Sequence, residues 1–219
     1  MKRLFFISTV GFLILMMSPA IAANWPTFRG PDLTGVAPDA NPPITWSETE
    51  NIKWKVEVPG MGLSSPVVWD DKIFFLTSVA AEESQPADAQ PAAPQQGGRG
   101  GRGGRGGFGG GRAPSVEYNF DVVCMDRKNG EILWQKTVTK ALPHEGHHGD
   151  GSFASYSPVT DGKLVWANFG SRGLYCLDVD GNLKWSKELV QQNIRAGFGE
   201  GSSPAIAGNA VIVVSDHEG

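Results

Sequence analysis

Short apolar runs separated by polar dipeptides recur along the chain and predict β-hairpins. Such dipeptides between runs rich in Val, Ile, Leu, Phe and Trp are typical of two-residue hairpin turns. Five occur, at Asp70-Asp71, Asn129-Gly130, Asp161-Gly162, Asp180-Gly181 and Gly208-Asn209. We therefore expect an all-β antiparallel fold, with strands at 66–69, 72–77, 118–125, 131–138, 157–160, 163–169, 173–177 and 183–189.

Two sequence units repeat along the chain. Segment 64–76 recurs at 156–167 and at 202–213, and segment 123–134 recurs at 175–185. Pro158 and Pro204 lie 46 residues apart, whereas Pro66 and Pro158 lie 92 apart, and most of this excess is the low-complexity stretch 80–115. A period of this length is typical of four-stranded propeller blades. The sequence predicts an incomplete β-propeller of fewer than three blades, with 51–58 as the outer strand of a further blade.

The second repeated unit carries the features of a folding motif. It reads Cys124-x-Asp126-x-x-Asn129-Gly130-x-x-x-Trp134, and its second copy keeps Asp178, Gly181 and Trp185 with one residue fewer before the glycine. Glycine suits a left-handed turn position, aspartate accepts hydrogen bonds from turn N–H groups, and tryptophan packs between adjacent blades. These six residues, Asp126, Gly130, Trp134, Asp178, Gly181 and Trp185, are predicted to be structural.

This motif resembles the A-x-D-x-x-T-G-x-x-x-W repeat of quinoprotein-like β-propellers, the family of pyrroloquinoline-quinone (PQQ)-type repeats. The resemblance covers roughly 51–219. It implies either an enzyme that holds PQQ and calcium through adjacent cysteines and acidic and amide ligands, or a scaffold such as the propeller of the outer-membrane assembly machinery. The chain has no Cys-Cys pair. The preferred prediction is a non-catalytic module that binds a protein or glycan, with no catalytic or cofactor residue assigned; the alternative is a PQQ-dependent dehydrogenase whose cofactor residues lie beyond residue 219.

The amino terminus predicts export. A basic start, an apolar run at 4–17 and the sequence Ala20-Ile21-Ala22 are typical of a secretory signal peptide, assigned to 1–23 with cleavage near Ala22 or Ala23. The apolar run is shorter than the roughly 20 residues of a membrane span, and no cysteine lies at the cleavage site for a lipid anchor. A periplasmic or secreted protein follows, with a retained anchor helix as the alternative. Residues 24–50 are expected to form an extended arm on the ring.

Composition and charge exclude a nucleic-acid-binding surface spread over the fold, because the formal net charge is −4. Basic residues cluster only at 97–112, where arginine alternates with paired glycine, as in segments that bind single-stranded nucleic acid. Export argues against that use, so 80–115 is predicted to be a disordered insertion without a specific nucleic-acid partner. Cys124 and Cys176 lie in apolar runs at equivalent repeat positions and are predicted to be buried and unpaired.

The repeat register divides the predicted loops between two faces of the propeller. All five tight turns lie on one face, here called the turn face, and the opposite loop face carries 80–115, 140–153, 170–173 and 190–201. Unusual residues in loops on a rigid scaffold favour a binding site. Candidate ligands of a divalent metal are His144, Glu145, His147, His148 and Asp150. The alternative is a loop held by hydrogen bonds from imidazole to backbone.

Three further charged residues of the loop face are candidates for contacts with an anionic or polar partner. They are Arg172, Arg195 and Glu200. The alternative is that they are solvated surface charges.

Overall fold

A computed structural model describes residues 24–81 and 111–216 of the chain, and these two ranges contain β-strands and 3-10 turns but no α-helix. None of their helical segments is long and apolar enough to cross a bilayer. The predicted signal peptide at 1–23 and residues 82–110 of the predicted insertion lie outside the described residues.

The strands form two complete four-stranded sheets and one hairpin. Blade one consists of β1 (Val67–Trp69), β2 (Lys72–Ala80), β3 (Tyr118–Asp126) and β4 (Ile132–Ala141), and blade two of β5 (Val159–Thr160), β6 (Leu164–Asn168), β7 (Leu174–Asp178) and β8 (Leu183–Lys187). The third repeat forms the hairpin of β9 (Ala205–Ala207) and β10 (Ala210–Ile212). Every pairing is antiparallel between consecutive strands. This up-and-down order confirms the predicted propeller blades, and the described sheets do not close a ring.

The hairpin turns follow the predicted positions but not always the predicted length. Two residues separate β1 from β2 and β9 from β10, as expected. The two-residue turn predicted at Asn129-Gly130 is wrong, because the Asp126 amide donates to the Glu131 carbonyl at 2.8 Å and leaves four residues between them. At Asp180-Gly181 the loop has three residues, since the Asp178 amide donates to Asn182. In both longer turns the glycine adopts a left-handed φ, which closes a type I turn onto the next strand.

The aspartate of each motif fixes the longer turn. Asp126 accepts a hydrogen bond from the Lys128 amide at 2.6 Å, and Asp178 accepts one from the Asn182 amide at 2.8 Å. Hydrogen bonds from Lys184 and Asn182 hold the pKa of the Asp178 carboxyl well below its usual range. The predicted structural role of the two aspartates is thus visible as backbone hydrogen bonds.

Adjacent blades are joined by a tryptophan that lies on the turn glycine of the next repeat. Trp134 of blade one covers Gly181 of blade two and donates its indole N–H to the Val179 carbonyl at 3.2 Å. Trp54 stands in the same relation to blade one, because it covers Gly130 and donates to the Arg127 carbonyl at 3.1 Å. Residues 51–58 are not assigned to a strand, yet they place Trp54 where an outer strand would place it.

A second contact links the repeats at their inner strands. The Ser65 amide donates to the Ser157 hydroxyl at 2.9 Å, and the Ser157 amide donates to the Ser203 hydroxyl at 2.9 Å. Each serine precedes the proline that opens its repeat. The same pair of atoms therefore joins repeat one to two and repeat two to three.

The main apolar core lies between blades one and two. Buried residues of β2 and β3, such as Phe74 and Val122, pack in one cluster with Val165 and Leu177 of blade two. Both cysteines are fully buried and free, as predicted, and burial raises the pKa of Cys124 to about 12 and that of Cys176 to about 11. Both thiols stay protonated and act as small apolar side chains.

The stacking of tryptophan on glycine predicts a specific cost for a methyl group at that position. A Cβ at Gly181 would lie 2.9 Å from Trp134 at a φ of +87°, whereas a Cβ at Gly208 would have no atom within 4 Å at a φ of +59°. Gly181→Ala should lower the free energy of unfolding by about 2 to 4 kcal/mol, from backbone strain and overpacking. Gly208→Ala should cost only the strain, about 1 kcal/mol. Urea unfolding of the full-length variants measures both; equal losses would show that the stacking contributes nothing.

Candidate functional site

Loops from three consecutive repeats meet on the loop face around a small cavity. The participating segments are the β4–β5 loop, the 3-10 turn Gly170–Arg172 between β6 and β7, and the β8–β9 loop. The cavity has a volume of about 30 Å³, and its walls include the rings of Phe120 and Phe169. This volume accommodates a water molecule but not an organic cofactor. The polar groups that line the cavity decide its chemistry.

Glu200 holds the turn of blade two from the loop that leads to the third repeat. One carboxylate oxygen accepts hydrogen bonds from the Ser171 amide at 2.7 Å and the Tyr156 hydroxyl at 3.1 Å, and the other accepts from the Ser171 hydroxyl at 2.6 Å. A Cβ at Gly170 would collide with this carboxylate, so only glycine fits there. Burial and the neighbouring Glu200 raise the pKa of Tyr156, which keeps the phenol a donor. Both oxygens of the Glu200 carboxylate therefore accept hydrogen bonds from this chain.

His144 is held in one tautomer by its two partners. One guanidinium N–H of Arg172 contacts Nδ1, and Nε2 lies 2.6 Å from the Gln192 carbonyl oxygen. A guanidinium can only donate and a carbonyl can only accept. These two partners fit the tautomer that carries its proton on Nε2 and directs its Nδ1 lone pair at Arg172.

Arg172 supplies the positive charge of the site. Its side chain is half-buried, and burial lowers the guanidinium pKa while the Glu200 and Glu145 carboxylates act in the opposite direction. Glu145 also accepts from the Ile194 amide at 3.2 Å. The two carboxylates, the guanidinium and the imidazole thus lie in one network, and Arg172 supplies its positive charge.

The remaining residues of the predicted metal set make contacts of their own. His147 Nδ1 contacts the His148 carbonyl oxygen at 2.7 Å, and the His147 ring meets Phe153 edge-on. His148 packs against Phe198 with ring centroids 5.7 Å apart, and its Nδ1 accepts from the Asp150 amide at 3.2 Å. The structure therefore divides the set into an inward pair, His144 and Glu145, and three further residues. Of these three, His147 lines the same cavity, whereas His148 and Asp150 are exposed.

The inward pair approaches Glu200, not the other predicted ligands. Within the described ranges, the group whose ligand atoms lie close enough to share an ion is His144, Glu145 and Glu200, all within 4.8 Å of one another. Glu200 and Arg172, which are predicted candidates for contacts with a partner, also contact other groups of this chain, and their contact with a partner remains a prediction. Arg195 is exposed at the start of the 3-10 turn Arg195–Gly197. Metal binding by any of these residues remains a prediction.

Sequence reasoning missed Tyr156, Ser171 and Gln192, which complete the network. One of them carried a signal in the repeat alignment. Tyr156 stands where the other two copies of its unit have Ser64 and Ser202. A residue that departs from the repeat at an otherwise equivalent position points to a contact that the other blades do not make.

The network predicts that removing the arginine uncovers a metal site. Arg172→Met frees the His144 lone pair and leaves two carboxylates without a counter-charge, which is a donor set suited to zinc. We expect zinc affinity to rise at least about tenfold in calorimetry of the metal-stripped full-length protein, and His144→Ala in the same background to abolish the gain. Lys136→Met, on exposed β4, is the control.

The opposite outcome is equally measurable. If the unaltered protein binds zinc tightly and loses it in His147→Ala/His148→Ala but not in His144→Ala, these two histidines form the site and the role given to Arg172 is wrong.

Comparison with known proteins relates part of the chain to a known family. Residues 118–219 match the family model described as outer membrane protein assembly factor BamB. No curated protein matches the chain significantly. The matched segment contains β3 to β10 with both copies of the Asp-Gly-Trp motif. This match and the blade architecture agree with the PQQ-type β-propeller repeat family over residues 118–219.

Proposed function

We propose that this protein is a non-catalytic β-propeller that binds another protein on its loop face after export. One observation carries the proposal: the loops of three consecutive repeats are fastened to one another by the network of His144, Arg172 and Glu200. Loops that are already ordered lose little conformational entropy when a partner binds. A fixed, loop-bearing surface on a rigid ring is the arrangement expected of a binding module.

The exposed residues of these loops favour a protein over a glycan as the partner. Three apolar side chains of these loops are exposed. Leu142 lies in the β4–β5 loop and is 50% exposed, and Val190 and Phe198 lie in the β8–β9 loop and are 66% and 45% exposed. Apolar and aromatic side chains dominate the energetics of protein interfaces. The charged groups of Arg172 and Glu200 contact other residues of this chain. Few fixed hydrogen-bonding groups therefore remain for sugar hydroxyls. The family description as an assembly factor agrees with a protein partner.

The described residues do not fit the quinone that the enzymes of this superfamily use. The two cysteines lie in different blades and are both buried, so they do not supply an adjacent pair. The cavity between the loops is far smaller than a tricyclic quinone needs. No reaction step is therefore assigned to this chain.

Site-specific photo-crosslinking in cells tests the binding face. A photoreactive residue at Phe198 of the full-length protein should give discrete crosslinked products with another protein, because the side chain is exposed on the proposed interface. The same residue at Asn129, in the exposed β3–β4 turn of the opposite face, is the matched control and should give none.

Two results would overturn the proposal. Equal crosslinking from Phe198 and Asn129 would remove the assignment of the loop face. The second result concerns the full-length protein after incubation with PQQ and calcium. If it then oxidises an alcohol or sugar, as measured by reduction of a dye, the dehydrogenase alternative is established.

A further inference from the structure

The first described residues of the chain lie against the inner strands of two blades. The Trp25 amide donates to the Val68 carbonyl at 2.8 Å, and the Val68 amide donates back to the Trp25 carbonyl at 2.9 Å. The Thr160 amide of β5 donates to the Pro26 carbonyl at 3.0 Å. Three backbone hydrogen bonds thus attach two consecutive residues of the arm to β1 and β5.

These contacts use edges that the blades leave open. β1 pairs only with β2 inside its sheet, and β5 pairs only with β6. The inner strands of a propeller surround its central channel, so their unpaired edges face that channel. The arm therefore lies on the axial side of blades one and two, where it satisfies backbone groups that would otherwise form an open edge.

A side-chain contact fixes which end of the channel the arm occupies. The Asn24 side-chain oxygen accepts a hydrogen bond from the Asp70 amide at 2.7 Å. Asp70 belongs to the tight turn between β1 and β2, on the turn face. The arm enters at that face and runs antiparallel to β1.

The arm is itself folded into a compact unit. The Thr27 hydroxyl donates to the Gly30 carbonyl at 2.8 Å, and the Gly30 amide donates to the Thr27 carbonyl at 3.0 Å. Gly30 is buried at a φ of +76° against the Trp25 ring, where a Cβ would lie 2.7 Å from the indole. A turn that returns onto its own indole makes the segment wider than a single extended strand.

We propose that residues 24–30 are a plug that closes the turn-face end of the central channel, so that the channel opens only on the loop face. The inner edges of β1 and β5 are the receptor for this plug, and Asn24, Trp25 and Gly30 are the residues that seat it. The inference is independent of the proposed binding function. It confines any ligand or partner segment on the propeller axis to entry from the loop face.

Hydrogen exchange of the full-length protein tests the plug, because the Val68 and Thr160 amides point into the channel and are bonded to the arm. Gly30→Ala should unseat the arm through strain and the clash with Trp25, and exchange at these two amides should accelerate at least about tenfold. Asn24→Ala should act in the same direction, and Asn24→Asp, which keeps an acceptor oxygen, should not. Amides in the centre of the blades, such as that of Cys124, should stay protected. Asp32→Ala, exposed on the same arm, is the control.

A peptide makes the test independent of how well the variants fold. A chain that lacks residues 24–36 should exchange rapidly at Val68 and Thr160, and a synthetic peptide of residues 24–36 should restore protection of both amides. A peptide carrying Gly30→Ala should not restore it. Unchanged exchange of the two amides in Gly30→Ala and Asn24→Ala, or failure of the unaltered peptide to restore protection in a deletion variant with intact blades, would overturn the proposal.

Discussion

The fold depends on the contact between an indole of one repeat and the turn glycine of the next. Trp54 on Gly130 and Trp134 on Gly181 bring the outer strand of one repeat over the outer turn of its neighbour, and each indole N–H donates to a carbonyl of that turn. The glycine is needed twice, for its left-handed φ and for the absence of a Cβ under the ring. The same glycine shapes the turn and forms the surface on which the indole packs. The local turn therefore also sets the distance between neighbouring sheets.

This double requirement explains why the repeat could be recognised in the sequence. Asp126, Gly130 and Trp134 each satisfy a separate constraint, and Asp178 and Gly181 satisfy the same ones in the second copy, whereas Trp185 is 42% exposed. Their spacing predicted the strands to within a few residues. It did not predict the turn lengths, since a dipeptide such as Asn129-Gly130 closes both two-residue and four-residue loops, and the choice is made by the register shift that follows Cys124.

The loop face was less predictable, because its order comes from contacts between distant residues. The inward turn of His144 follows from Gln192 and Arg172, which lie 48 and 28 residues away. Glu200 caps a turn 29 residues earlier. Sequence spacing placed His147, His148 and Asp150 with His144, yet adjacent residues of an extended loop point in different directions. Periodic positions could be inferred from the repeat, whereas unique positions required the three-dimensional arrangement.

The serine contact between inner strands has an evolutionary consequence. Ser65, Ser157 and Ser203 form a directed series in which the amides of Ser65 and Ser157 each donate to the serine hydroxyl of the following repeat. Each repeat carries one donor and one acceptor of the same kind, so the joint between any two repeats is interchangeable. A gene duplication or deletion of one whole repeat would preserve every such joint and change only the curvature needed to close the circle. Blade number in such a ring can therefore diverge between relatives while the contacts that hold neighbouring blades stay constant.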